Sequence, residues 1–77
     1  DMIKKSEIES RLSKIIYPNF SKNIVEFGFV KDIIVDGDSC SIRVDIPSSS
    51  VKISYQIKQE IYSIVEAMEF KRIDINI

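Results

Sequence analysis

The 77 residues contain no histidine and no tryptophan, and one cysteine, Cys40. Without histidine there is no imidazole base, no Ser–His or Cys–His nucleophile pair and no imidazole metal ligand. A lone cysteine makes no internal disulfide and no self-contained CxxC zinc or redox site. Glycine and proline occur twice each, so turns are few and their positions carry meaning. No run approaches about 18 apolar residues, the length that marks a transmembrane helix. The N-terminal stretch lacks the apolar core of a signal peptide, so the chain reads as cytoplasmic. Asp1 precedes Met2, which reads as a native start. An excess of positive charge is also missing. Eleven Lys and Arg are scattered among twelve Asp and Glu, the net charge is −1 and the pI is about 5.3. A nucleic-acid binder carries a basic patch, so nucleic acid is not an expected partner, nor is a membrane.

What is present is a core-forming composition. Hydrophobic residues make up 44% of the chain and charged residues 30%, which fits one small folded domain over residues 1–77 and not a disordered tail. Sixteen isoleucines stand against one leucine and one alanine. Ile8, Leu12, Ile15 and Ile16 recur at helical spacing, Ser6 and Glu9 match a capping box, and Pro18 stops the segment. The expectation is a helix over residues 6–16. Residues 17–28 form a connection with apolar anchors at Tyr17, Phe20, Ile24, Val25 and Phe27, too hydrophobic for a loose linker. A strand is expected over residues 29–35, although Ile33 and Ile34 cannot both face one core. Asp36-Gly37 signals a hairpin with a type I′ turn. Cys40, Ile42, Val44 and Ile46 then alternate with Ser41, Arg43 and Asp45, as in a sheet covered on one side. Pro47 ends that strand, and any of Ser48, Ser49 and Ser50 can cap the helix expected over residues 50–68. Ile73, Ile75 and Ile77 alternate in a last strand. The fold class is α/β of the α+β kind: a two-layer αββαβ sandwich with both helices on one face of a three-stranded sheet. A last strand beside the second would be parallel to it, and one beside the first would be antiparallel. The pattern leaves that choice open.

Ile15-Ile16-Tyr17-Pro18-Asn19-Phe20, followed by Asn23-Ile24-Val25-Glu26-Phe27-Gly28-Phe29-Val30-Lys31-Asp32-Ile33, resembles the iron–sulfur cluster assembly domain family. That domain is shared by SufT- and PaaD-like proteins and by the N-terminus of Mrp/ApbC-type P-loop ATPases. The resemblance runs from Ser6 to Ile77, and the Ile24–Val30 stretch is its specific part. The Tyr-Pro-Asn-Phe and Ile-Pro-Ser-Ser-Ser combination is most similar to the N-terminal domains of Mrp-type ATPases from epsilon proteobacteria. The chain also departs from the family pattern. The acidic residues around the family's proline fall on Tyr17 and Asn19, its loop cysteine falls near Val51, and the proline after that cysteine falls on Lys52. The resemblance implies a non-catalytic accessory domain at the N-terminus of a longer ATPase, acting in cluster assembly or delivery. It implies protein partners: the chain's own ATPase domain, apoprotein clients or assembly factors. No cofactor is expected in this domain. The cluster and ATP belong to the full-length protein by resemblance only, since the chain has no G-x-x-x-x-G-K-[ST] stretch.

Four places could carry function. Cys40 is the one possible thiolate ligand, and a cluster bridged between two protomers through it is the alternative to the accessory role. Its place in the alternation favours instead a small apolar residue on the inner face of its strand, beside Ile42. Ser48, Ser49 and Ser50 sit where a strand meets a helix N-terminus, a corner that suits an anion or simply a cap. Tyr17, Pro18 and Asn19, with Phe20, form either a partner-facing corner or a helix stop with both rings in the core, core being the favoured place for Phe20. The polar sheet face carries Lys31, Ser41, Arg43, Asp45, Asp74 and Asn76, with Ile34 as an apolar spot. It is either solvated or a docking face. Asp32, Asp36 and Asp38 do not match the spacing of a calcium loop.

Overall fold

The computed structural model describes residues 5–77. The reading of Met2 as a start lies outside the described residues. The order is α1 (Lys5–Leu12), β1 (Val30–Asp36), β2 (Ser39–Val44), α2 (Val51–Glu66) and β3 (Arg72–Asn76). β1 and β2 pair antiparallel, β2 and β3 parallel, so the sheet order is β1-β2-β3. This settles the strand order that the hydrophobic pattern left open. Two layers result, with α1 packed on β1 and α2 on β3.

The core follows from the two periodicities. Ile8 and Leu12 from α1, and Ile57, Ile61 and Val65 from α2, are fully buried. They meet the inward residues of the sheet, which lie in rows across the strands. Ile33, Ile42 and Ile75 form one row, and Val35, Cys40 and Ile73 another. The adjacent Ile33 and Ile34 separate as pleating requires, with Ile33 inside and Ile34 56% exposed on the outer face. Lys31 is the extra residue of a bulge: Val30 opposes Val44, but Asp32 already opposes Arg43. The bulge accounts for the blurred alternation of this strand.

Several local expectations are corrected. α1 ends at Leu12, not at residue 16. Lys14 and Ile15 donate to the carbonyls of Arg11 and Leu12, so the last turn tightens and the chain leaves the helix. Ile15 stays buried, whereas Ile16 is 48% exposed and bridges antiparallel to Asn23. Ser6 lies within α1 and not at its cap, so the Ser6/Glu9 capping box is not formed. The hairpin loop is Gly37-Asp38, closed by the Asp36–Ser39 pair, and of its two residues only Gly37 has positive φ (+59°). That is the type II′ pattern and not type I′, because glycine stands first in the loop.

Candidate functional site

Residues 15–29 are the least regular part of the chain and the most tightly specified locally. Tyr17 N–H donates to the Lys22 carbonyl and Ile24 N–H to the Ile15 carbonyl, which closes a small antiparallel excursion. Its tip is a β-turn. Phe20 N–H donates to the Tyr17 carbonyl at 3.0 Å, Pro18 stands second, and Asn19 stands third with φ +70°. Proline then a positive-φ residue is the type II signature, and asparagine tolerates that region better than most side chains.

Asn23 opens the next turn. Its Oδ1 accepts from the N–H groups of Val25 and Glu26, both at 2.9 Å, and its Nδ2 donates to Glu26 Oε1 at 2.7 Å. Glu26 Oε1 also accepts from Asn23 N–H at 3.4 Å. This is the capping box of the molecule, and the N-x-x-E spacing at residues 23–26 was its available signal. The turn closes with Gly28 N–H on the Val25 carbonyl and Phe29 N–H on the Ile24 carbonyl, with Gly28 at φ +75°. Those two bonds define a Schellman motif, with the glycine in the left-handed position. The Asn23–Val30 stretch is thus a cap, a turn and a stop, each residue type matched to its backbone geometry.

Four rings gather around this turn. Tyr17 is edge-on to Phe29 and Phe27 at 5.1 and 6.0 Å and tilted to Phe20 at 5.5 Å, while Phe27 and Phe29 stack at 5.0 Å. Lys22 Nζ lies 5.9 Å from the Phe27 centroid, within cation–π range. Tyr17 is buried, so its ring is a core member and not a surface anchor. Phe20, for which the core was the favoured place, is instead 58% exposed because the type II turn carries it out. The corner continues through a hollow of about 250 Å³ lined by Phe27, Phe29, Lys31, Asp45, Ile46 and Pro47. Asp45 N–H ties this segment to the Phe29 carbonyl at 2.8 Å. Tertiary structure thereby brings the Tyr17–Phe20 corner to the residue that opens the serine loop. The spacing of the motifs alone did not indicate this.

In that loop two of the three hydroxyls are occupied locally. Ser50 is the N-cap of α2 and accepts from Ile53 N–H at 3.3 Å, and Ser48 Oγ accepts from Ser50 N–H at 3.0 Å. Ser49 is exposed. Cys40 is buried to 2% exposure between Val35 and Ile73, and burial pushes its thiol above the usual range. A thiolate ligand needs the opposite environment. Among the described residues no three Asp, Glu or Cys side chains gather as a metal-ligating group. The outer sheet face carries Asp36, Ser39 and Arg72 in one row and Ile34, Ser41 and Asp74 in the next, around a hollow of about 350 Å³. Lys31 belongs to the bulge, and Asp32 takes its place opposite Arg43.

The architecture is that of a small α+β domain. It superposes on the crystal structure of a domain of unknown function, DUF59, from Bacillus anthracis with a TM-score of 0.82 at 21% identity, over 94% of this chain and 71% of that one. The family described as iron–sulfur cluster assembly protein matches residues 5–75, and the chain belongs to that family. It is 36% identical over 76 residues to an iron–sulfur cluster carrier protein of Helicobacter pylori. That match takes in 99% of this chain and 21% of the relative, so the chain spans about one fifth of the relative's length. Among the described residues no helix is long and apolar enough to cross a membrane.

Proposed function

We propose that this chain is a non-catalytic protein-interaction domain in iron–sulfur cluster assembly or delivery, the cytoplasmic accessory domain of an Mrp/ApbC-type carrier ATPase. The carrying observation is the 36% identity, over 99% of the chain, to a cluster carrier protein several times longer. The placement of Cys40 supports the accessory role: the single thiol faces the core with a raised pKa, so the cluster is cargo handled by another part of the protein. The contact surface in this reading is the corner formed by Phe20, Phe27 and Phe29 and running to Pro47 and the serine loop. Phe20 is exposed there beside the half-buried Phe27 and Phe29, and an apolar spot with a polar rim is what a transient protein contact uses.

Two measurements test this. An immunoblot of cell extract, with an antibody against this chain, reads the size of the native polypeptide. A band several times larger than 8.9 kDa agrees with the accessory role, and a band at that mass overturns it. Reconstitution of the chain with iron and sulfide is expected to leave it colourless. Cluster absorbance that disappears in Cys40→Ser would replace this proposal with direct carriage through Cys40.

A further inference from the structure

A three-stranded sheet has two edges, and this one protects only one of them. The β1 edge carries the bulge at Lys31, and its outer-face residues are Asp32, Ile34 and Asp36. Two such edges brought together would set the outer-face carboxylates against carboxylates or against Ile34, while the exposed Lys31 sits in the bulge outside the paired register. A bulge and like charges are the usual means of keeping an edge from pairing. β3 has neither bulge nor proline, and its outer face reads Arg72, Asp74, Asn76. Arg72 N–H donates inward to the Asp38 carbonyl. By strand alternation the N–H and C=O groups of Ile73 and Ile75 therefore point out of the sheet. Above this edge lies a flank of α2. Val51, Tyr55 and Tyr62 share one stripe of the helix and are 82%, 64% and 41% exposed. Ser63, Ile64 and Ala67 face α1 across a groove with Arg11 and Lys14, so the tyrosine stripe is on the opposite side, beyond β3.

We infer that the β3 edge is an interface for a second copy of this chain, paired antiparallel about a two-fold axis at Ile73. The charge pattern selects both the occupant and the register. Only residues with outward backbone groups can exchange hydrogen bonds, which restricts the axis to Ile73, Asp74 or Ile75. An axis at Asp74 sets Asp74 against its own copy, and one at Ile75 sets Asp74 against Asn76. An axis at Ile73 sets Arg72 against Asp74 of the second copy twice over, and Ile73 against Ile73. A two-fold contact must be self-complementary, and this register is. The result is a continuous six-stranded sheet. It holds the two Cys40 residues three strand spacings apart, about 14 Å, too far to share one cluster. The inference is independent of the proposed function.

The test is sedimentation equilibrium of the 77-residue chain from 10 µM to 1 mM (concentrations on the order of those needed for a modest interface), with amide hydrogen exchange at both ends of the range. The expected result is a monomer–dimer equilibrium, with slowed exchange at the Ile73 and Ile75 amides only at the high end. Asp74→Arg opposes Arg72 with arginine and is expected to weaken the dimer at least tenfold. Arg72→Asp combined with Asp74→Arg restores the pairs with their signs exchanged and is expected to restore the dimer. Both substitutions lie on the exposed outer face, and circular dichroism verifies that the variants fold. A chain that stays monomeric at 1 mM overturns the inference, as does assembly without a dimer end point. So does a dimer indifferent to Asp74→Arg, or one that the double exchange fails to restore.

Discussion

Glu69 has φ +69°, a left-handed conformation that ordinarily costs an L-residue about 1–2 kcal/mol. It lies two residues past Ala67, the C-cap of α2, and glycine is the residue that takes a positive φ without cost. Glu69→Gly is therefore expected to raise the urea midpoint, by about 0.5–1 kcal/mol once the extra freedom of unfolded glycine is subtracted. Cys40 gives a pH signature. Its thiol is held protonated in the fold by burial, while in the unfolded chain it ionises near its usual pKa of about 8.5. The stability this contributes is whole below that pH and is lost as pH rises from there through the folded pKa. Urea midpoints at pH 7 and pH 10 are expected to fall further for the native chain than for Cys40→Ala. An equal fall would show that the thiol ionises as freely in the fold as outside it. Phe20 is the one exposed phenylalanine of the chain. A phenylalanine 58% exposed at a turn tip adds little to the core, so Phe20→Ser is expected to change stability by less than about 1 kcal/mol. Under the proposed accessory role, a carrier ATPase bearing this domain with the same substitution is expected to transfer its cluster to an apoprotein more slowly while loading it normally.

At the scale of elements, two starts are held by side-chain caps. Asn23 satisfies two backbone donors and holds Glu26, and Ser50 satisfies one donor at the start of α2. Asn23→Ala and Ser50→Ala are each expected to cost about 1 kcal/mol, whereas Ser6→Ala, inside α1 and exposed, is expected to cost next to nothing. Thermal unfolding of the three variants side by side reads this difference. The contrast shows which local signals were legible. A capping box is a four-residue pattern, and this chain carries three matches, at Ser6/Glu9, Asn23/Glu26 and Ser63/Glu66. Only the second starts a turn, because Ser6 lies inside α1 and Ser63 inside α2. The apolar stripe of α2 was legible because Ile57, Ile61 and Val65 fall on one face of a long helix. α1 was overextended because Ile15 and Ile16 continue its spacing, although the chain has left the helix there to pair Ile16 with Asn23. A bridge to a residue seven positions away is not part of a helical period.

For the whole molecule, one small core joins everything. Residues from both helices, all three strands and the 15–29 excursion belong to the same buried cluster. A domain of this size has only a few kcal/mol to spare, and Leu/Ile→Ala at a filled position costs about 2–5 kcal/mol. Ile61→Ala is thus expected to leave the chain largely unfolded at 37 °C by circular dichroism. Ile34→Ser, on the outer face, is expected to leave the melting curve within a few degrees of the parent. If Ile34→Ser melts as early as Ile61→Ala, the outer face is covered by something the fold does not include.

Sequence alone determined the class of fold, because period-2 and period-3.6 patterns are local and each element carries its own. It determined the inward place of Cys40 in the strand alternation, and the missing histidines removed whole classes of chemistry. The family resemblance was carried by Ile24-Val25-Glu26-Phe27-Gly28-Phe29-Val30, and the structure gives its reason: a capped turn ending on a left-handed glycine. Strand order was decided only by tertiary packing, since β3 has the same alternating faces whichever neighbour it takes. Packing also decided that Tyr17 goes inside and Phe20 outside, because a turn type fixes direction and a hydrophobicity pattern does not. The same holds for the aromatic corner and the serine loop, which are brought together by the pairing of β1 with β2 and by one hydrogen bond from Asp45 to Phe29. Contacts between residues far apart in the chain depend on how elements dock, and no local pattern encodes that.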